Sequence, residues 1–341
     1  MTIYFVNAES EEAEYFANHL TGHKTCFVKR MEWVPVEAEL VSIFIESKVD
    51  TQFLESHPRL RCVVTRSHSS DHIDREACRA RGVSVLTVKA YDTITTAEHT
   101  FALILALSRR LRAVMTLPKG DHFSYEATRA FDLYGKTLGI IGMGRIGQSV
   151  ARLARGFSME ILATDPVQDP ALAEQLGFSY VSFEELLQRS HVVSLHASLT
   201  PATYHLLNRE TLAKCQPGVL IINTARGALL DTQALREGLD SGHIEGAGLD
   251  VLQDERVMRA SASSIISKEI VEHLQDDDFT NESHDADRLR NMQELILGDA
   301  VLSRKNVVFT PHVAFNSREA VQCLREGTLE NIAAFLRSAV S

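Results

Sequence analysis

The sequence predicts an α/β protein built of two doubly wound parallel-sheet domains. Three observations carry that prediction. Residues 136–165 read strand, glycine turn, helix, strand, acid. Residues 1–90 alternate short apolar strands with helical stretches but hold no phosphate-binding glycine turn. After Asp165 the same alternation resumes and continues toward the end of the chain. Strands that alternate with helices imply a parallel sheet, and 341 residues are enough for two such domains.

The 136–165 stretch is the most specific. Thr137 to Ile141 is an apolar run of strand length. Gly142, Gly144 and Gly147 follow with the spacing G-x-G-x-x-G. Ile146, Val150, Ala151 and Leu153 then recur at helical spacing, and Ile161 to Ala163 forms a second strand before Asp165. In such a unit the first glycine allows the tight turn. The second lets a pyrophosphate approach the backbone, and the third lets helix and strand pack closely. The helix N-terminus offers free N–H groups and a positive dipole end to the phosphates. Asp165 stands 18 residues after Gly147, near the roughly 20 expected of an acid that accepts from the adenosine ribose hydroxyls. A carboxylate there repels a 2′-phosphate, and Pro166, Val167 and Gln168 supply no cation. The expected cofactor is therefore NAD rather than NADP. The competing reading is a structural glycine turn in another kind of α/β protein.

The remaining elements follow in order. Strands are predicted near 3–6, 26–28, 40–45, 61–65 and 84–88, with helices near 11–20, which Ser10 is placed to cap, and near 74–81. Residues 97–115 predict one long helix, apolar nearly all round at its start and hence buried. His99 lies within it and reads as a packing histidine rather than a catalytic one. From 118 to 135 the composition turns polar and aromatic, which suggests an excursion over a partner's surface. Later helices are expected near 183–188, 206–215 and 233–241, and strands near 192–196, 219–223, 246–251 and 306–310. Residues 256–304 break the rhythm. Within them EHLQDDDFTNESHDAD holds seven acids and no Lys or Arg. It reads as a solvated loop, with a divalent-metal site at Asp276, Asp277 and Asp278 as the alternative. A helical pattern resumes over 288–302. The closing helix, 318–340, carries Val321, Leu324, Ile332 and Phe335 and is expected to return to the first domain.

Composition narrows the function. A net charge of −10 disfavours a nucleic-acid or anionic-membrane surface. No apolar run approaches the length of a membrane span, and the N-terminus lacks the basic and apolar regions of a signal peptide. The five cysteines are scattered and without a C-x-x-C pair, so they read as reduced thiols of a cytoplasmic protein, with no metal expected.

Ligands of open α/β sheets bind at the carboxyl ends of strands. Arg226, Glu255 and His312 each follow such an end. Singly, they could be a surface charge, a solvated loop acid and a capping histidine. That all three share the sheet edge of the glycine turn favours an active site.

Several motifs, in order, make the chain resemble the D-isomer-specific 2-hydroxyacid dehydrogenases. These are TAEHTFALILALSRRL, GKTLGIIGMGRIG with Asp165, LHASLTPATYHLLN, INTARG, GLDV followed by Glu255, and TPHVAF. The similarity covers most of residues 60–341. It implies a flavodoxin-like substrate-binding domain (1–96 and 313–341) and a Rossmann NAD-binding domain (97–312), with a cleft between them. It implies that Arg226 grips the substrate carboxylate and polarises the keto oxygen, that His312 donates the proton in reduction, and that Glu255 holds the imidazole. It implies cofactor contacts at Gly142, Gly144, Arg145, Ile146, Gly147, Asp165, His196, Thr224, Ala225 and Asp250. His68 and Ser69 would then lie in the substrate loop. There the family's usual glycine is missing from the run Ser67-His68-Ser69-Ser70-Asp71-His72-Ile73-Asp74. Ser198 stands where the family has proline, and the Glu255–His312 interval is longer than usual. Tyr91, preceded by Lys89 where proline is usual, and Phe315 resemble pocket residues of the D-lactate dehydrogenase branch; core packing is the other reading of both. The expected substrate is a small 2-keto or 2-hydroxy acid, and the expected assembly a homodimer. A glyoxylate or hydroxypyruvate reductase, or an NAD-sensing corepressor without catalysis, are the alternatives.

Overall fold

The computed structural model describes residues 1–89, 91–117, 124–126, 128–258, 260–267 and 282–340. The chain forms two compact units, Met1–Asp92 with Asn316–Ser341, and Thr93–Phe315.

The first unit is a five-stranded sheet of β1 (Thr2–Val6), β2 (Lys24–Val28), β3 (Leu40–Ile43), β4 (Cys62–Thr65) and β5 (Ser84–Thr87). All neighbours are parallel, in the order β2-β1-β3-β4-β5. That order reverses direction at β1, the signature of a doubly wound sheet. β3 and β4 are buried at every position, which is why they read as continuous apolar runs rather than alternating ones. Helices α1 (Ser10–His19), α2 (Thr51–Ser56) and α3 (Arg75–Ala80) flank the sheet. Asp50 and Asp74 cap α2 and α3 by accepting from Phe53 N and Ala77 N, each at 2.9 Å. Ser10 does not cap α1. It is the first helical residue, Glu9 occupies the cap position, and no side-chain cap bond forms there. Glu11 and Glu12 instead place negative charge on the first turn. The closing helix Arg318–Val340 packs on β4 and β5. Its Ile332 and Phe335 enter the core around Ile3, Phe5 and Phe16.

Beneath the β4 edge lies Arg66, 1% exposed. Its guanidinium donates to Val6 O (2.9 Å) and Ser42 O (3.0 Å) and pairs with Glu12 at 2.8 Å. The ion pair and carbonyls together compensate a buried charge that would otherwise be costly.

The second unit holds β6 (Thr137–Ile141), β7 (Glu160–Thr164), β8 (Ser179–Tyr180), β9 (Val192–Leu195), β10 (Val219–Asn223), β11 (Ile244–Leu249) and β12 (Val307–Phe309). They form one parallel sheet, β12-β11-β10-β9-β6-β7-β8. The order reverses at β6, so the β6–β9 junction is the topological switch point where such sheets bind ligands. Two hydrophobic clusters make the core. One is built around Leu186, Ile221 and Leu235, the other around Ile104, Ile140 and Val150.

The helices correct three expectations. Residues 97–115 do not form one helix. α4 (Thr93–Ser108) ends, Arg110 takes a left-handed conformation with φ +50, and α5 (Leu111–Met115) starts anew. The break re-aims Arg112, which donates to the carbonyls of Leu302, Arg304 and Val307. The helix expected over 206–215 is also shorter. After α6 (Arg145–Gly156), α7 (Pro170–Leu176) and α8 (Phe183–Arg189), α9 spans only Arg209–Leu212. Asn208 and Thr211 close a reciprocal cap at its start, so the helix cannot begin earlier. α10 (Thr232–Asp240) follows. The late helix begins earlier than its pattern suggested, spanning Glu282–Leu302.

Residues 118–123 and 127 of the aromatic excursion, and Asp276, Asp277 and Asp278, lie outside the described residues. Among the described residues no helix is long and apolar enough to cross a membrane, and no group of three or more His, Cys, Asp and Glu is placed to hold a metal ion.

Candidate active site

The glycine turn sits at the switch point. Gly142, φ +98, faces the backbone of His196 and Ala197; a Cβ there would lie 2.7 Å from them. A Cβ on Gly147 would collide with Gly142 O, so helix and strand meet without side-chain clearance. Gly144 differs: a Cβ on it would meet nothing within 4 Å. It is the N-cap of α6 and supplies no side-chain acceptor to the helix end. The first-turn residues Arg145, Ile146 and Gly147 therefore frame an open cradle with N–H groups directed toward it. Asp165, half-buried after β7, accepts from Met143 N (2.7 Å) and Val167 N (2.8 Å), one bond per oxygen. Each carboxylate oxygen keeps a lone pair for a ribose hydroxyl. The cradle and the acid fit a dinucleotide carrying free ribose hydroxyls.

The next strand ends carry the reactive groups. After β10, the Asn223 side chain accepts from Ala225 N (3.0 Å) and donates to Arg226 O (2.9 Å). This asparagine turn sets the backbone of Thr224, Ala225 and Arg226. Arg226 is half-buried, and its guanidinium donates to Ala225 O at 2.7 Å. Gly227 then lies so close to the Leu252–Gln253 backbone that any Cβ would collide with it. The Arg226 turn is thereby pressed against the segment that leads to Glu255, which opens a short 3-10 turn, Glu255–Met258.

His312 follows β12. Its Nδ1 lies 2.8 Å from Glu255 Oε2, with the two side chains 21% and 36% exposed. A carboxylate only accepts, so Nδ1 carries the proton and Nε2 is the nitrogen turned to other partners. The Phe315 ring meets the imidazole edge-on at 6.4 Å. His312 adopts φ +53, which costs a non-glycine residue about 1–3 kcal/mol and persists only where surroundings impose it. Asp250 imposes it. At 1% exposure its carboxylate accepts from Thr310 Oγ1 (2.6 Å), Val313 N (2.9 Å) and Ala314 N (2.9 Å), while its carbonyl accepts from His312 N (2.9 Å).

His196 sits at the switch point with Nε2 2.8 Å from Ser194 Oγ. Burial pushes its pKa down to about 3, so it is a neutral dipole at physiological pH. The folded value lies below the unfolded value of about 6.5. The associated stability is therefore present above the unfolded value and is lost as pH falls toward the folded one. In an NMR titration the His196 ring signals should stay fixed from about pH 8 to about pH 5. A midpoint near the ordinary histidine value would contradict this desolvation.

In the first unit, His68 and Ser69 follow β4, and Tyr91, half-buried, follows β5. His68 Nδ1 lies 3.3 Å from Val88 O. Ser67 Oγ donates to Ser69 O (2.6 Å), and Thr65 Oγ1 bridges Ser67 Oγ (2.7 Å) and His72 Nε2 (3.0 Å). None of residues 67–74 has a positive φ, which is why this loop does without glycine.

Sequence reading passed over Asn223, Thr310 and Ser194. The asparagine was legible as a turn former at a strand end. The other two act through partners that only the fold supplies.

Residues 101–314 match the family described as D-isomer specific 2-hydroxyacid dehydrogenase, NAD binding domain. The chain is 34% identical over 300 residues to D-lactate dehydrogenase of Escherichia coli, covering 86% of this chain and 82% of that protein. It is 32% identical over 311 residues to glyoxylate reductase of Thermococcus litoralis, covering 89% and 82%. Among solved structures, D-lactate dehydrogenase from Aquifex aeolicus complexed with NAD and lactic acid superposes with a TM-score of 0.81 at 32% identity, covering 99% of this chain and 96% of that one.

Proposed function

Since the chain belongs to the D-isomer-specific 2-hydroxyacid dehydrogenase family and is an NAD-dependent oxidoreductase of that family, we propose that it interconverts a small 2-keto acid and the D-2-hydroxy acid, with pyruvate and D-lactate favoured. The observation that carries the reading is the 2.8 Å His312–Glu255 pair in the same unit as Arg226 and the glycine turn.

Arg226 grips the substrate carboxylate with a two-pronged guanidinium and draws electron density from the keto oxygen. His312 delivers its Nε2 proton to that oxygen during reduction and takes the hydroxyl proton back in oxidation. Glu255 accepts from Nδ1, fixing the tautomer and ring orientation and balancing the imidazolium charge. The nicotinamide, when bound, supplies or accepts the hydride. Gly142, Gly144, Arg145, Ile146 and Gly147 receive the pyrophosphate, and Asp165 accepts from the adenosine ribose hydroxyls. His196, Thr224 and Ala225 complete the cofactor side, and Asp250 serves it by holding the loop of His312. In the first unit, His68, Ser69 and Tyr91 are the candidate substrate contacts. Tyr91 and Phe315, together with the name of the Escherichia coli relative, favour lactate. The name of the Thermococcus litoralis relative supports a glyoxylate reductase as second reading. The complete Arg-Glu-His set disfavours the non-catalytic corepressor alternative.

We place the enzyme in the cytoplasm, on its five free cysteines, and as a homodimer. The exposed Val114, Met115 and Leu117 at the end of α5 are apolar surface for a second copy to cover.

The test is an absorbance assay of a 2-keto-acid panel with NADH and with NADPH, run on the enzyme and on Asp165→Ala. Pyruvate should lead the panel, and NADH should outperform NADPH. Losing a charged acceptor for the ribose costs about 1.5–3 kcal/mol, so Asp165→Ala should weaken NADH use by roughly 10- to 100-fold and narrow the gap. Equal kcat/KM with both cofactors in the unmodified enzyme removes Asp165 from the cofactor site, and an inert panel refutes the activity.

A further inference from the structure

α4 brings His99 to the strand ends of the same unit. His99 Nε2 lies 2.8 Å from Thr310 Oγ1 and 3.6 Å from Asp250 Oδ1. The Thr310 hydroxyl gives its own proton to Asp250 Oδ1 at 2.6 Å, so its oxygen is free only to accept. The proton of the imidazole therefore sits on Nε2, facing the anion, which is the tautomer an adjacent carboxylate favours. Burial holds the His99 pKa below its ordinary value, and the Asp250 charge partly opposes that shift. His99 is thus a neutral donor at physiological pH.

What it donates to matters. Thr310, Val313 and Ala314 all hang on the Asp250 carboxylate, and His312 stands between them with φ +53. A strained residue keeps its conformation only while those bonds are kept. A packing histidine would need only volume, which a leucine supplies. This one supplies a directed N–H to the hydroxyl that begins the chain of bonds.

We propose that His99 is a positioning residue for the proton transfer. Its Nε2–H orients the Thr310 hydroxyl onto the Asp250 carboxylate, and the 310–314 loop thereby holds the His312 imidazole at the geometry the transfer needs. The inference rests on His312 being the proton donor.

The experiment measures kcat, keto-acid KM, NADH dissociation constant and thermal midpoint for His99→Leu, His99→Gln, Thr310→Val, Thr310→Ser, the double variant His99→Leu/Thr310→Val, and His312→Ala. A misplacement on the order of 1 Å costs up to about 100-fold in rate. His99→Leu should therefore lose roughly 10- to 100-fold in kcat, with KM and NADH affinity held within about twofold. Gln, which keeps an N–H donor at the end of the side chain, should restore most of the rate. Thr310→Val should match His99→Leu, Thr310→Ser should stay near the unmodified enzyme, and the double variant should be no slower than the worse single one. A His99→Leu enzyme with ordinary kcat overturns the proposal, and so do losses that multiply in the double variant. If His99→Leu does not fold, the Val and Ser variants of Thr310 decide: a fast Thr310→Val overturns it. His312→Ala separates the two assignments. Ordinary turnover there removes the proton donor itself, whereas a slow His312→Ala beside a normal His99→Leu removes only the relay.

Discussion

His312→Ala is expected to lower kcat for keto-acid reduction by about 10²–10⁴-fold, the range typical of losing a positioned general acid, or roughly 2.7–5.4 kcal/mol of transition-state stabilisation. The keto oxygen gains negative charge as it is reduced, and without the imidazole only water can protonate it. NADH should bind the variant normally, because the cradle at Gly144 and the acid at Asp165 follow β6 and β7, while His312 follows β12. The loop should also survive, since Thr310, Val313 and Ala314 keep their bonds to Asp250. Steady-state rates and a fluorescence titration of NADH check both halves. A variant with ordinary turnover would take His312 out of the reaction.

Arg226→Lys is the second large effect. A guanidinium presents two parallel donors to a carboxylate, and an ammonium cannot reproduce that fork. Losing one charged hydrogen bond costs about 1.5–3 kcal/mol, so kcat/KM should fall by roughly 10- to 100-fold. The loss should appear in kcat as well as KM if the guanidinium also polarises the keto oxygen, because that contribution is larger in the transition state. The turn keeps its Asn223 bonds and its close Gly227 approach when the arginine side chain is replaced. Near-normal kcat/KM would place Arg226 outside the site.

The glycine turn and both parallel sheets were legible because their signals are local. The spacing Gly142-x-Gly144-x-x-Gly147, the apolar run of β6 and the acid after β7 all lie within one short stretch. Arg226, Glu255 and His312 were legible for a related reason: strand ends can be read from apolar runs, and a parallel sheet puts all such ends on one edge. What stayed hidden depends on distant partners. The left-handed Arg110 splits α4 from α5, and Arg112 beyond the break finds its carbonyls far along the chain, on Leu302, Arg304 and Val307. His99 read as packing because its partner, Thr310, is 211 positions away. The resemblance put Asp250 on the cofactor side. That its buried carboxylate holds the 310–314 loop is something no spacing rule announces. The cap of α9 was readable in principle, since Asn208 and Thr211 have the spacing of a capping box, but the apolar pair Leu206 and Leu207 drew the expected helix too early.

The measurement that tests the proton-transfer assignment most directly is the rate of the unmodified enzyme in both directions across pH, at saturating cofactor and substrate. Reduction takes up a proton and oxidation releases one, and the account passes that proton through His312. The account predicts that the reduction rate falls as pH rises while the oxidation rate climbs over the same range. Two profiles that move together, or that stay flat while His312→Ala is slow, would contradict it.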